Sequence, residues 1–160
     1  MPDLITHVLI GLIICELFNI RRKSLVILGS VLPDLVLKIS LLSFFIDFPM
    51  KEIKWLLIPF HTPVGLILLT IIIILFFRGE YILNFLLISL GWALHLAADL
   101  TNKEVFINQM LLLYPISWKS YELNIFWSNQ YWYLMIISLA IYLLIIFIKR
   151  ILRRKKAKYI

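Results

Sequence analysis

The chain has 160 residues, of which 62% are apolar and only 16% are charged, and its formal net charge is +7. Soluble domains average roughly 45–50% apolar and about 25% charged residues, so this composition excludes a small soluble protein and indicates that lipid covers much of the surface. The basic residues lie beside apolar runs rather than along a groove, which argues against nucleic-acid binding.

Five apolar runs follow one another along the chain, at residues 4–20, 25–46, 55–77, 81–100 and 131–148. Each approaches the roughly 20 residues that cross a bilayer as a helix. Residues 106–118 are too short to cross and rich in interfacial residue types, which predicts a helix lying on the membrane surface. We therefore predict an all-α, polytopic membrane bundle of about five transmembrane helices with one surface helix.

The basic residues predict the domain limits and the orientation. Residues 1–148 form a single predicted transmembrane domain, and 149–160 form a basic tail. If all five runs cross, the tail, Arg78 and the Arg21–Lys23 cluster share one face, which the positive-inside rule makes cytoplasmic. The N-terminus is then outside a multi-pass cell membrane protein. Basic residues at the ends of membrane-crossing helices can also bind anionic lipid head groups, so membrane lipids are expected partners. Glu16 is predicted to pair with Arg21 or Arg22.

All three histidines and two aspartates fall inside these apolar runs: His7, Asp34, His61, His95 and Asp99. Ionisable groups within spans are costly and usually face a bundle interior. In the five-span arrangement, all of them except Asp34 lie within about 9 Å of the outer membrane face, at about 1.5 Å per residue. Asp34 lies nearly midway along its run, although Pro33 can break that segment. Imidazole and carboxylate ligands together predict a divalent metal site, with zinc first and nickel, iron or manganese as alternatives.

Local spacing supports two parts of this site. His95 and Asp99 are four residues apart and so share one helix face. Thr62 can cap a helix that begins at Pro63, which would leave His61 beside a helix N-terminus where a neutral imidazole is favoured.

Each of these residues also has a structural explanation, which the sequence leaves open. Asp34 and Lys38 are four residues apart and can form an ion pair within the membrane. His7 can bind head groups, and His95 with Asp99 can simply stabilise their helix. His61 can donate to carbonyl groups freed by neighbouring prolines.

Four motifs occur in order: Thr6-His7, Gly29-Ser30-Val31-Leu32-Pro33-Asp34, His61-Thr62-Pro63 and His95-Leu96-Ala97-Ala98-Asp99-Leu100-Thr101. This order resembles the YdjM-type family of predicted membrane-bound, metal-dependent hydrolases. The resemblance implies a multi-span helical protein whose candidate metal ligands are His7, Asp34, His61, His95 and Asp99.

The leading functional prediction is therefore a metal-dependent hydrolase acting at the membrane on a lipid or phosphoester. The three histidines would be metal ligands, while Asp34 and Asp99 would divide the roles of ligand, orienting group and general base. A metal or proton transporter is one alternative, and a non-catalytic membrane scaffold is another. The apolar cytoplasmic halves of the third and fifth runs argue against a path through the membrane.

Overall fold

The computed structural model describes residues 4–39, 58–103, 111–127 and 130–157. Within these ranges lie five α-helices: α1 (Leu4–Leu17), α2 (Lys23–Ile39), α3 (Pro63–Ile74), α4 (Tyr81–Leu100) and α5 (Tyr131–Ala157). A 3-10 turn, Ile58–His61, precedes α3. A short parallel pair joins β1 (Asn102–Lys103) to β2 (Phe126–Trp127). The predicted all-α class is confirmed for the described residues apart from this short pair.

Helices α2 and α4 make the most extensive helix–helix contact, because two glycines let their backbones touch. A Cβ atom on Gly91 would lie 1.9 Å from the carbonyl oxygen of Val26, and one on Gly29 would lie 2.0 Å from that of Ile88. Small residues at such crossings are typical of helices that pack within membranes. The crossing fixes how the second half of α2 faces the second half of α4.

The other helices pack around this pair. Helix α1 contacts both α2 and α5, while α3 lies against α4. The main apolar cluster forms where α3 meets α4, around Leu66, Trp92 and Leu96. Trp92 is fully buried. The core therefore lies among the first four helices, and α5 lies against the outside of α1.

The third apolar run does not form one continuous helix as predicted over 55–77. In its described part, the 3-10 turn is followed by an extended Thr62, and α3 starts only at Pro63. Thr62 Oγ1 accepts a hydrogen bond from the Gly65 N–H at 3.1 Å and donates one to the Pro59 carbonyl at 2.8 Å. The predicted Thr62 cap is therefore confirmed. The longer helix was wrong because proline lacks the N–H that a helix interior needs.

The predicted surface helix over 106–118 is only partly within the described residues, since 104–110 lie outside them. Its described part, 111–118, forms turns rather than a helix, so the prediction is wrong there. Pro115 removes an N–H that a continuous helix would use. The chain then returns to the end of α4, where the Leu123 N–H donates to the Leu100 carbonyl at 2.8 Å.

Of the described helices, two are long and apolar enough to cross a bilayer: residues Tyr81–Leu100 and Tyr131–Lys155. The second has only 6% of its most apolar stretch buried. It leaves large apolar side chains such as Leu144 and Phe147 exposed, as expected of a helix that faces lipid. Helices α1 and α3 are apolar but shorter. The lengths of the described helices therefore support two membrane crossings, and they do not establish the predicted five.

Candidate metal centre

The structure brings together all five histidine and aspartate residues that the sequence places within apolar runs. They come from α1, α2, α4 and the 3-10 turn, and each is at most 4% exposed: His7, Asp34, His61, His95 and Asp99. We call them the histidine–aspartate cluster. Two groups of three have ligand atoms within 4.8 Å of one another, and His95 belongs to both. One group adds His7 and Asp99 to it, and the other adds Asp34 and His61.

Asp34 joins the cluster although its place midway along the run 25–46 suggested otherwise. Asp34 lies in the second half of α2 as far as the structure describes it, Lys23–Ile39. The remainder of the predicted run, 40–46, lies outside the described residues, as does the side chain of Lys38. The ion pair between Asp34 and Lys38 stays an open alternative, but the carboxylate of Asp34 faces histidines.

Asp34 has carboxylate oxygens near all three imidazoles. Its Oδ2 lies 3.7 Å from His7 Nε2, and its Oδ1 lies 3.9 Å from the Nε2 atoms of His61 and His95. On the other side, Asp99 Oδ2 lies 3.1 Å from His95 Nε2, and Asp99 Oδ1 lies 3.6 Å from His7 Nε2. Ligands placed about 2.0–2.2 Å from one metal ion are separated by roughly 3–4 Å. The observed separations therefore suit a metal ion held by either group of three.

A hydrogen bond on the side of the ring away from the carboxylates fixes the orientation of His95. Its Nδ1 lies 2.8 Å from the carbonyl oxygen of Ser30 on α2. A carbonyl can only accept, so Nδ1 carries a proton, and Nε2 is the ring atom that faces the two carboxylates. A backbone carbonyl behind an imidazole is a common orienting partner for a histidine metal ligand. His7 stacks on His95 with ring centroids 4.0 Å apart, and His61 meets it edge-on at 5.5 Å.

Several buried polar atoms of the cluster have no hydrogen-bond partner in the part of the chain that the structure describes, and they indicate the kind of ligand that the cluster can bind. Within the described residues, Nε2 of all three histidines, both oxygens of Asp99 and Oδ1 of Asp34 lack a hydrogen-bond partner of acceptable geometry. Burying such groups without partners is costly, and two buried carboxylates without a counter-charge are more so. A divalent cation would bind these lone pairs and offset both negative charges. The donor set therefore fits a metal ion.

The structural explanation for His61 is not supported. Both of its ring nitrogens lack hydrogen-bond partners among the described residues. The carbonyl of Pro59, which it was expected to satisfy, instead accepts the Thr62 hydroxyl.

The family model for the YdjM inner membrane protein matches residues 1–159. The chain belongs to the YdjM family. This match confirms the resemblance given by the four motifs and extends it through the last helix. Membership in a family of inner membrane proteins agrees with the lipid-facing surface of α5. No curated protein and no solved structure matches the chain.

Sequence reasoning missed the groups that hold this YdjM-family site in place. Ser30 precedes Asp34 by one helical turn, and Gly91 precedes His95 by one turn, so each lies on the same helix face as a cluster residue. Small residues one turn before an ionisable residue were the available signal. They mark the close crossing that puts the Ser30 carbonyl behind His95.

Proposed function

We propose that this protein is a membrane-bound, metal-dependent hydrolase that acts on a lipid or another phosphoester. The proposal is carried by one observation: three imidazole Nε2 atoms and two carboxylates converge in a buried site and lack other partners among the described residues. Nitrogen and oxygen donors of this kind favour zinc among the common divalent metals.

We assign a role to each residue of the cluster from the exposure of its side chain. A bound divalent cation supplies Lewis acidity, which lowers the pKa of water towards neutrality and polarises the scissile group. His95 would hold the cation together with His7 in one group of ligands or with His61 in the other. The side chain of Asp99 is fully buried against His95, so we assign it to ligation or to orienting that ring. The Asp34 side chain keeps 6% of its surface exposed and is the better placed general base.

For the topology we propose five crossings, with the N-terminus outside and the C-terminus in the cytoplasm. His7 and Glu16 lie near opposite ends of α1, about 14 Å apart at about 1.5 Å per residue. The end with Glu16 contacts Lys23 and Lys149, so basic residues gather at the end of the bundle opposite the cluster. The positive-inside rule makes that end cytoplasmic. Reporter fusions at the C-terminus test this: a fluorescent protein should be active there and a periplasmic phosphatase should not.

The hydrolase proposal is tested on full-length protein purified in detergent. Its metal content is measured, and hydrolysis is assayed with p-nitrophenyl phosphate, bis-p-nitrophenyl phosphate and short-chain phospholipids. We expect hydrolysis that a chelator abolishes and zinc restores. Asp34→Asn should keep metal but lose activity, whereas His95→Ala should lose both. Glu80→Gln, which removes an exposed carboxylate outside the cluster, is the matched control and should behave as wild type.

Two other results would point to the alternatives. Metal-loaded protein that hydrolyses none of these substrates but moves metal or protons into proteoliposomes would be a transporter. Protein that retains no metal under any condition would be a scaffold, and the proposal would be wrong.

A further inference from the structure

A second cavity lies at the end of the bundle opposite the histidine–aspartate cluster. Its volume is about 540 Å³, and it is lined by Glu16, Lys23, Ile146, Lys149, Arg150, Arg153 and Arg154. We call it the basic cleft. Its cationic side chains outnumber its carboxylate by five to one. The excess positive charge favours binding of an anionic ligand.

The single carboxylate of the cleft already has its partners. Lys23 Nζ donates to Glu16 Oε1, and Lys149 Nζ lies 3.0 Å from Glu16 Oε2. Lys149 also donates to Asn19 Oδ1 at 2.8 Å. Glu16 thus holds the two lysines at the ends of α1, α2 and α5. The remaining charge of the cleft belongs to its arginines.

The three arginines form one surface. Arg150, Arg153 and Arg154 are spaced i, i+3 and i+4 on α5, so their side chains share a helix face. All three are exposed, and no ion pair to them occurs within the described part of the chain. A guanidinium group presents a planar fork of donors that matches phosphate oxygens. The arginine face is therefore suited to phosphate.

The position of the cleft along α5 indicates which kind of molecule would supply the phosphate. Ile146, one turn before Arg150, lines the same cleft and lies at the end of the apolar stretch 131–148. One helix face therefore passes from an apolar side chain to arginines at the height where a membrane changes from acyl chains to head groups. A phospholipid has the same order, with its acyl chain below its phosphate.

We propose that the basic cleft binds the head group of an anionic phospholipid, with the phosphate on the arginine face and an acyl chain against Ile146. The site is separate from the histidine–aspartate cluster and does not depend on its function. It would hold the cytoplasmic ends of α1, α2 and α5 at the membrane surface.

The test uses full-length protein and measures lipid retention by native mass spectrometry and binding in nanodiscs. Phosphatidylglycerol should be retained in preference to phosphatidylcholine. The triple variant Arg150→Gln, Arg153→Gln, Arg154→Gln should bind phosphatidylglycerol at least about tenfold more weakly, since it loses the guanidinium groups that would donate to the phosphate. The variant Lys155→Gln, Lys156→Gln, Lys158→Gln removes as many charges beyond the last lining residue and should bind within about twofold of wild type.

Three results would overturn the proposal. The first is equal weakening in both triple variants, which would mean general attraction to the basic tail. The second is retention of phosphatidylcholine as strong as that of phosphatidylglycerol. The third is binding of soluble glycerol 3-phosphate as tight as that of the lipid, which would make the ligand a free phosphoester. The single variant Arg150→Gln, with an unchanged circular dichroism spectrum, repeats the test if the triple variant does not fold.

Discussion

The Nδ1 atom of His95 donates a hydrogen bond to the carbonyl oxygen of Ser30, 2.8 Å away on the neighbouring helix. Ser30 lies one turn before Asp34 on α2, so this bond ties the His95 ring to the segment that carries the central carboxylate. It also directs Nε2 towards Asp99, whose Oδ2 lies 3.1 Å away. His95 can therefore act in both groups of potential ligands without reorienting.

Because His95 belongs to both groups of potential ligands, its loss should remove the stabilisation that metal binding gives the protein. Zinc added to chelator-treated wild type should raise the melting temperature, because a ligand at 100 times its Kd stabilises the folded state by about 2.7 kcal/mol. His95→Ala should abolish the shift, since it removes a member of both groups. Glu80→Gln should keep the shift in full. Differential scanning fluorimetry measures all three, and a full shift in His95→Ala would contradict the assigned site.

Removal of the central carboxylate should have opposite effects with and without metal. In chelated protein, Asp34→Asn should be at least as stable as wild type, because a buried negative charge without its counter-ion is lost, a gain of about 1 kcal/mol or more. In zinc the order should reverse, because the bound cation attracts the charged carboxylate of wild type more strongly than the neutral amide of the variant. Thermal unfolding in detergent with chelator and with zinc checks both signs. A lower stability of the variant in chelator would show that Asp34 is held by protein contacts instead.

The close crossing of α2 and α4 predicts a graded response to added methyl groups. Gly91→Ala places a Cβ 1.9 Å from the Val26 carbonyl oxygen, so the helices must separate, and we expect a loss of about 2 kcal/mol or more together with weaker zinc binding. Gly11→Ala would place its Cβ no nearer than 3.3 Å to another atom, the Ser30 hydroxyl oxygen, and should cost less. Ala93→Leu, on an exposed face of α4, is the control and should change little. Melting temperatures in detergent rank the three variants, and Gly91→Ala with wild-type stability would contradict the crossing.

The cap of α3 positions His61 and can be tested separately. Thr62→Ala removes the oxygen that accepts the Gly65 N–H and should destabilise the protein by about 1 kcal/mol. It should also weaken zinc binding, because His61 directly precedes the cap. Thr62→Ser keeps the hydroxyl and should restore most of both properties. If serine were no better than alanine in thermal unfolding and zinc titration, the hydroxyl would have no capping role.

The members of the cluster could be predicted from the sequence because burial makes ionisable residues in apolar runs conspicuous. Spacing alone also shows that His95 and Asp99 share a face. Contacts between different helices, such as His7 with Asp34, depend on how each helix is rotated about its own axis. Distance along a run gives depth in the membrane but not that rotation, so the sequence alone could not show that Asp34 faces the histidines.

The errors share a physical origin in the use of apolar run length. Hydropathy cannot distinguish a helix from a 3-10 turn, so the interruption before Pro63 was absorbed into one run. Charge partners were equally hard to assign. Glu16 pairs with Lys23 and Lys149 rather than with an adjacent arginine, and Arg22 instead reaches Glu80 and the Asn84 side chain. These partners depend on which helix ends meet in space.

The peripheral place of α5 has a consequence for the order of assembly during synthesis. Every residue of the cluster has been translated once Asp99 is made, whereas α5 begins at Tyr131 and packs mainly on α1. At about 5–20 residues per second, a ribosome needs roughly 3 to 12 seconds to continue from Asp99 to the end of α5. Synthesis therefore completes the residues of the cluster several seconds before it completes the last helix.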